Sequence, residues 1–80
     1  MLKNKIKSLL SLKGFSFADY ARTLKITPQS LQTKAKNEAY KIKDLVQLGE
    51  LTNTTLAFID RVTGKVLVEF GADDLNEEKE

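Results

Sequence analysis

The stretch ITPQSLQTKAKN, residues 26–37, decides how the first half of this 80-residue chain is organised. Thr27 occupies a position typical of a helix N-cap, and Pro28 follows where the first helical residue belongs. Leu31 and Ala35 are four residues apart, so they are expected to face a core from the same side of that helix. The other side chains are polar or basic, and none is acidic. The stretch therefore predicts a short helix, over residues 28–37, with a narrow apolar face and a wide polar one.

Three further helices are predicted around this stretch. The first covers residues 2–13, where leucine and isoleucine recur at helical spacing, and Gly14 ends it. Ser16 begins the second, with Asp19 three residues later as a variant of the capping box. The fourth begins near Lys41. The side chains that these three helices are predicted to turn inward are Leu2, Ile6, Leu9, Leu10, Leu12, Tyr20, Ala21, Leu24, Ile42, Leu45, Val46 and Gly49.

The second half of the chain changes from a helical to an alternating apolar pattern. The segments 55–60 and 65–70 alternate, are rich in β-branched and aromatic residues, and are joined by RVTG, which predicts a hairpin with Gly64 in the left-handed conformation. Residues 72–80 are acidic and aperiodic, and are predicted to be disordered. The predicted fold class is therefore mainly α, with four short helices followed by a C-terminal β-hairpin and an acidic tail. Residues 1–71 are expected to form a single domain.

Charge is divided unequally between the two halves. Residues 1–43 contain ten lysines and arginines against two acids, whereas residues 44–80 contain three against nine. This asymmetry favours a basic half that binds a polyanion. A solvated surface on which the charges are segregated by chance is the alternative.

Several classes of protein are disfavoured by composition. The chain has no cysteine and no histidine, so disulfides, thiolate metal sites and the commonest general base are missing. Its four glycines are scattered singly, so no phosphate-binding loop is formed. The N-terminus mixes basic and apolar residues, unlike a signal peptide, and no apolar run approaches the ~20 residues of a membrane span. We expect a cytoplasmic protein that is not an enzyme, has no cofactor or metal, and binds neither membrane nor small-molecule substrate.

The polar face of the 28–37 helix has the chemistry needed to contact the edges of DNA bases. Glutamine and asparagine pair with adenine, lysine with guanine, and serine or threonine with either. No acid occurs between residues 20 and 37 to repel phosphates, and a helix N-terminus favours an anion. The predicted base or groove-edge contacts are Gln29, Gln32, Thr33 and Lys36. The predicted phosphate contacts are Ser16, Thr27, Ser30, Lys34 and Asn37, flanked by Tyr40, Lys41 and Lys43.

The segment SFADYARTLKITPQSLQTKAKN resembles the helix-turn-helix of the phage Cro/repressor-type (XRE-like) transcription regulators. The resemblance lies in Ala21 with its apolar neighbours Tyr20 and Leu24, in Ile26 after the turn, and in the TPQSL opening of the next helix. It implies sequence-specific binding to duplex DNA, usually as a dimer on a palindromic operator, without a cofactor. The chain departs from the family pattern at three positions, where Phe17 replaces a glutamine, Lys25 replaces a glycine and Lys34 replaces an apolar residue. Lys25 is therefore expected to adopt a left-handed or distorted conformation at some cost in free energy.

The predicted hairpin has apolar residues on both faces, and a lone hairpin is marginal in water. Both faces would be buried if one packs on the helices and the other pairs with the hairpin of a second copy. This arrangement gives a homodimer with a two-fold interface. The alternative is that both faces pack within one subunit. The residues predicted to form the dimer interface are Leu56, Phe58, Val66, Val68 and Phe70, of which Val66, Val68 and Phe70 are expected to share a face.

Two other functions stay open at this stage. A protein–protein interaction module, such as an adaptor or antirepressor on a helix-turn-helix scaffold, is favoured by the modest net charge and the departures at Phe17 and Lys25. An RNA-binding protein is disfavoured, since Phe58 and Phe70 are expected to be needed for packing and cannot then stack on bases.

Overall fold

The computed structural model describes residues 2–79 of the chain, with side chains as far as residue 75. Four helices are followed by an antiparallel two-stranded hairpin and a 3₁₀ helix, so the predicted layout of four helices and a C-terminal hairpin is confirmed. The elements are α1 (Leu2–Leu12), α2 (Phe17–Leu24), α3 (Pro28–Lys36), α4 (Ile42–Thr52), β1 (Leu56–Ile59), β2 (Val66–Phe70) and the C-terminal 3₁₀ helix (Ala72–Lys79).

The helix boundaries follow from local hydrogen bonding. Gly14 has a φ of +81° just after α1. At the start of α2 the Ser16 hydroxyl accepts the Asp19 N–H at 3.1 Å, and the Asp19 carboxylate accepts the Ser16 N–H at 2.9 Å, which confirms the capping box. Thr27 caps α3 by accepting the Ser30 N–H at 3.0 Å. The prediction for Lys25 is confirmed too, since it ends α2 in the left-handed conformation with a φ of 62°.

The core lies where α1, α2, α3 and α4 meet. Tyr20, Ala21 and Leu31 are fully buried, and Ile6, Leu10 and Leu48 complete the same cluster. Three residues expected to face inward do not: Leu2 is 37% exposed, Leu12 is 81% exposed and Ile42 is 53% exposed. Leu12 is two residues beyond buried Leu10, which rotates it about 200° around the helix. Ile42 is the first residue of α4 and lies beside Phe70 and Leu75, outside the core cluster of the helices.

The hairpin register corrects one prediction about its faces. Leu56 pairs with Phe70 and Phe58 with Val68, but a β-bulge after Phe58 places Ile59 opposite Val66. Directly opposed residues of an antiparallel pair share a face. Val66 therefore lies with Ile59, and not with Val68 and Phe70, because the extra residue of the bulge shifts the alternation.

The turn of the hairpin was predicted correctly. Gly64 has a φ of +76° and donates its N–H to the Asp60 carbonyl at 2.8 Å. The Asp60 carboxylate accepts the N–H groups of Val62 and Thr63 and the Thr63 hydroxyl. These bonds, chiefly the one from the Thr63 N–H, lower the pKa of Asp60.

The hairpin contacts the helices at its base and projects from them towards its tip. Leu56 lines a depression together with Leu9, Leu45 and Leu48, and Phe70 adjoins Ile42 and Val46. Beyond these two residues, every side chain of β2 from Val66 to Glu69 is exposed. The Cα radius of gyration is 13.4 Å, against about 12 Å for a compact chain of this length, as expected for a projecting hairpin.

The segment that was predicted to be disordered, residues 72–80, instead begins as a 3₁₀ helix, and residue 80 lies outside the described part of the chain. Its first turn is held by the Asp74 carboxylate, which accepts the Gly71 N–H at 2.8 Å. Leu75 is half-buried beside Ile42, Val46 and Phe70, so one apolar residue within the acidic segment anchors it to α4. Within residues 2–79, no helix has the length and apolarity that crossing a membrane requires.

Candidate nucleic-acid interface

The two faces of α3 differ as predicted. Leu31 and Ala35 are buried, at 0% and 3% exposure, and anchor the helix to the core. All four residues predicted to contact bases are exposed and fall at i, i+3, i+4 and i+7, which places them on one stripe. They are Gln29, Gln32, Thr33 and Lys36. The stripe supplies amide donors and acceptors, a hydroxyl and an ammonium to the solvent side of the helix.

The N-terminus of α3 is polar and carries no acid in its first turn. Thr27 and Ser30 are exposed, and the Thr27 hydroxyl donates to the Ser30 hydroxyl at 3.0 Å while accepting the Ser30 N–H. The helix dipole contributes a partial positive charge at this end. Two exposed hydroxyls beside that charge form a favourable position for an anion such as a phosphate.

Lys34, one of the predicted phosphate contacts, forms an ion pair within the molecule. Its ammonium donates to the Asp44 carboxylate at 3.0 Å, and the two side chains are only 23% and 8% exposed. The same carboxylate oxygen accepts the Lys41 N–H at 2.9 Å, at the start of α4. Lys34 is therefore committed to an internal ion pair that joins α3 to α4, because a carboxylate as buried as that of Asp44 requires a cation.

Asp44 is the residue that sequence reasoning missed. Its backbone carbonyl accepts the buried Tyr20 hydroxyl at 2.7 Å, so Asp44 connects α4 to both α2 and α3. Burial, with the charge of Asp44 as a smaller cause, raises the pKa of the Tyr20 and Tyr40 hydroxyls. The position of Asp44 three residues after Lys41, in the first turn of a predicted helix, was the available signal for its capping role.

Two contacts lie at the start of α2, one made by Phe17 and the other by Asp19. The Lys7 ammonium lies over the Phe17 ring, 5.1 Å from its centroid, in a cation–π contact between α1 and α2. Arg22 pairs with Asp19, one turn earlier on α2. The hydrogen bonds from the backbone and hydroxyl of Ser16, aided by Arg22, lower the pKa of Asp19. Ser16 remains exposed, although its hydroxyl is already engaged as a cap.

The predicted flanking residues lie just beyond α3. Asn37, Lys41 and Lys43 are exposed, as a contact with the DNA backbone requires. Tyr40 is half-buried among the core residues and its hydroxyl is inaccessible to solvent, with no hydrogen-bond partner among the described residues. Tyr40 therefore contributes to packing and does not present its hydroxyl to a ligand.

The predicted dimer residues divide into two groups. Leu56 and Phe70 are half-buried against α4, whereas Phe58, Val66 and Val68 are 67%, 47% and 50% exposed. Phe58 and Phe70 contact each other edge to face, with 5.8 Å between ring centroids. The hairpin thus exposes apolar side chains on both faces near its tip. A contiguous apolar surface of this kind is normally covered by a partner.

The geometry of the molecule thus offers two surfaces, the polar stripe of α3 and the apolar hairpin. Each is made by contiguous residues, and each is separate from the core. No protein-family model, curated protein or solved structure matches this chain.

Proposed function

We propose that the protein binds duplex DNA sequence-specifically, as a small transcription regulator of the phage or bacterial kind that acts in the cytoplasm. In this proposal α3 enters the major groove, and the hairpin joins two copies into a dimer that binds a palindromic operator. No catalytic step, metal or cofactor is involved. The observation that carries the proposal is the exposed stripe of Gln29, Gln32, Thr33 and Lys36 on α3.

The stripe supports direct recognition of bases because its side chains offer both donors and acceptors. The amides of Gln29 and Gln32 are each suited to the N6 and N7 edge of adenine, and Lys36 to the O6 and N7 edge of guanine. These three side chains are exposed whereas Leu31 and Ala35 are buried, so contact with DNA leaves the core undisturbed. A helix fits the width of the major groove.

The attachment of α3 to the rest of the molecule also supports the proposal. Buried apolar contacts at Leu31 and the ion pair between Lys34 and Asp44 hold the helix from both its middle and its end. Rigid elements position recognition side chains more accurately than loops do. Lys34 then stabilises the orientation of α3, and phosphate binding falls to Ser30 and the hydroxyl of Thr27 together with Asn37, Lys41 and Lys43.

Pairing of two copies through the hairpin gives the proposal its operator geometry. Two recognition helices in a two-fold dimer contact half-sites that are about one helical turn, or ~34 Å, apart. The exposed apolar surface around Phe58 and Val68 provides the area for that pairing. A monomer, by contrast, leaves these side chains in water.

The test is selection from a random-sequence duplex pool with purified protein at physiological salt, followed by sequencing of the retained duplexes over several rounds. The proposal expects enrichment of two inverted half-sites about one helical turn apart. Retention without enrichment would reduce the function to non-specific DNA binding. Absence of retention even at low salt, where phosphate contacts are strongest, would refute DNA binding.

A protein–protein interaction module is the second candidate, and the observation that favours it is the exposed hairpin. Phe58, Ile59 and Leu67 are each about 60% exposed or more, and such a surface is also suited to another protein. Substitution of the α3 stripe distinguishes the two functions. Gln29→Ala with Gln32→Ala would leave partner binding through the hairpin intact but abolish selection of a DNA sequence.

A further inference from the structure

Charge along the hairpin is polarised from its tip to its base. Arg61 and Lys65 lie at the tip, and they are the only cationic residues between positions 44 and 75. Glu69 and Asp73 lie at the base, where β2 ends and the C-terminal 3₁₀ helix begins. All four side chains are exposed, and the ion pairs of residues 2–75 involve none of them. Each end of the hairpin therefore presents one predominant sign of charge to a partner.

Asp60 offsets only one of the two positive charges of the tip, which stays net positive. Its carboxylate lies within the turn, where it accepts two backbone N–H groups and the Thr63 hydroxyl. Those bonds engage the carboxylate from inside the loop, whereas Arg61 and Lys65 have exposed side chains on either side of Val62–Gly64. The outward-facing charge of the tip is consequently positive.

Apolar surface connects the two charged ends. Val62 at the tip is 92% exposed, and Phe58 and Val68, which oppose each other between tip and base, are 67% and 50% exposed. At the base, Leu56 and Phe70 lie against the helices. An occupant that fits this surface has to be apolar along its length, acidic at one end and basic at the other.

A second hairpin of this chain meets that description. The paired strands span about five residues, or roughly 17 Å, so tip and base are well separated on each copy. Side by side in parallel, two hairpins would place base against base and tip against tip, opposing like charges at both ends. Side by side in antiparallel orientation, each cationic tip would meet the acidic base of its partner.

We infer that two copies associate through antiparallel hairpins, with Arg61 and Lys65 of each copy against Glu69 and Asp73 of the other. The interface is isologous, so the same contact occurs twice about one two-fold axis. The inference rests on the homodimer of the proposed function and deepens it by specifying its arrangement. The C-terminal 3₁₀ helix becomes part of the interface through Asp73.

The experiment uses two charge-reversed variants of the full chain. The tip variant carries Arg61→Glu and Lys65→Glu, and the base variant carries Glu69→Lys and Asp73→Lys. Asp74 is left unchanged because it caps the 3₁₀ helix through the Gly71 N–H. All four replaced side chains are exposed, and circular dichroism of each variant verifies that it is folded. Sedimentation velocity then measures the self-association Kd of each variant alone and of the equimolar mixture.

Each variant alone is expected to show a Kd at least tenfold higher than the wild type, since both ends of its homodimer oppose like charges. The mixture is expected to recover the wild-type Kd as a heterodimer, because a reversed tip fits a reversed base and the two unmodified ends still fit each other. Salt should weaken the wild-type dimer and the heterodimer alike.

The outcomes separate this arrangement from the proposed function. Variants that dimerise as tightly as the wild type, or a mixture that stays monomeric, would overturn the antiparallel arrangement. A wild type that remains monomeric at high micromolar concentration would overturn the homodimer itself. Sequence selection by the wild type on random duplexes reports on DNA binding independently of either result, since α3 is unchanged.

Discussion

α3 and the hairpin are both exposed over most of their length, but they place opposite kinds of side chain in water. α3 buries Leu31 and Ala35 and exposes amides, hydroxyls and an ammonium. The hairpin exposes Phe58, Val62 and Val68 and fully buries none of its strand residues. The apolar side chains of α3 are covered within one subunit, whereas those of the hairpin are covered only at its base.

The difference indicates what each surface can bind. A polar, acid-free helix face gains little from apolar contact but offers hydrogen bonds, which suits a charged and hydrogen-bonding partner such as DNA. An apolar hairpin offers little hydrogen bonding beyond its strand edges, but it gains free energy when it is removed from water. In the proposed function, recognition of DNA and association of copies therefore belong to separate elements.

The largest effect on stability is expected from loss of the core packing beneath α3. We expect Leu31→Ala to lower the free energy of unfolding by about 3–5 kcal/mol, because Leu31 is fully buried and the change leaves a cavity. Val62→Ala at the hairpin tip is the control, with an expected change within about 0.5 kcal/mol. Urea denaturation followed by circular dichroism measures both, and equal losses would show that the hairpin tip is packed after all.

The ion pair between Lys34 and Asp44 is predicted to anchor α3 and not to bind phosphate. Lys34→Met should cost about 3 kcal/mol of unfolding free energy, at the low end of the range for buried pairs, since the Lys34 side chain is 23% exposed. The matched control is Lys36→Met, two residues further along α3 on the exposed stripe, which should change stability by less than about 0.5 kcal/mol. If the Lys34→Met variant is as stable as the control, the ion pair does not anchor α3 and Lys34 is again a candidate for phosphate binding.

Gln29 is the residue for which sequence recognition is predicted most directly. Gln29→Ala should weaken binding to the selected duplex by about 1–3 kcal/mol and leave binding to unrelated duplexes almost unchanged. Gln47→Ala provides the matched control, because Gln47 lies on α4 and not on the stripe. Fluorescence anisotropy with both duplexes measures the effect, and equal losses on the two would remove Gln29 from the base-contacting residues.

Substitution of Phe58 tests whether the exposed apolar surface of the hairpin mediates self-association. Phe58→Ser should weaken self-association about tenfold, or ~1.4 kcal/mol, because a large aromatic side chain leaves the proposed interface. Its cost to the fold of the monomer should stay below about 1.5 kcal/mol, the worth of the edge contact with Phe70. Sedimentation velocity measures the association and denaturation measures the stability. A large loss of stability without a loss of association would place Phe58 in the core of one subunit.

The smallest expected effect concerns Lys36, the ammonium on the exposed stripe of α3. Lys36→Ala should reduce the slope of log K against log salt concentration by about one unit, since one cation contact with DNA is lost. Anisotropy titrations between low and physiological salt provide that slope. If it is unchanged, Lys36 makes no cationic contact with the DNA.

Much of the helical half was predictable because its signals are local. The capping box of Ser16 and Asp19, the Thr27–Pro28 start of α3 and the left-handed Gly64 are all determined by residues within three or four positions of one another. The two faces of α3 also follow from helical periodicity alone, so the exposed stripe was predicted residue by residue. Hydrogen bonds and rotations within one turn are properties of a short segment, whatever surrounds it.

What the sequence by itself determined is therefore the order and type of the elements and the polarity of α3. Only the tertiary structure decided that Lys34 pairs with Asp44, ten residues away, that Leu12 faces water and that a bulge moves Val66 to the other face of the hairpin. It also decided that a single apolar residue, Leu75, docks the acidic segment on α4. Each of these depends on which distant side chains meet, and burial is a property of the assembled molecule and not of any one stretch of chain.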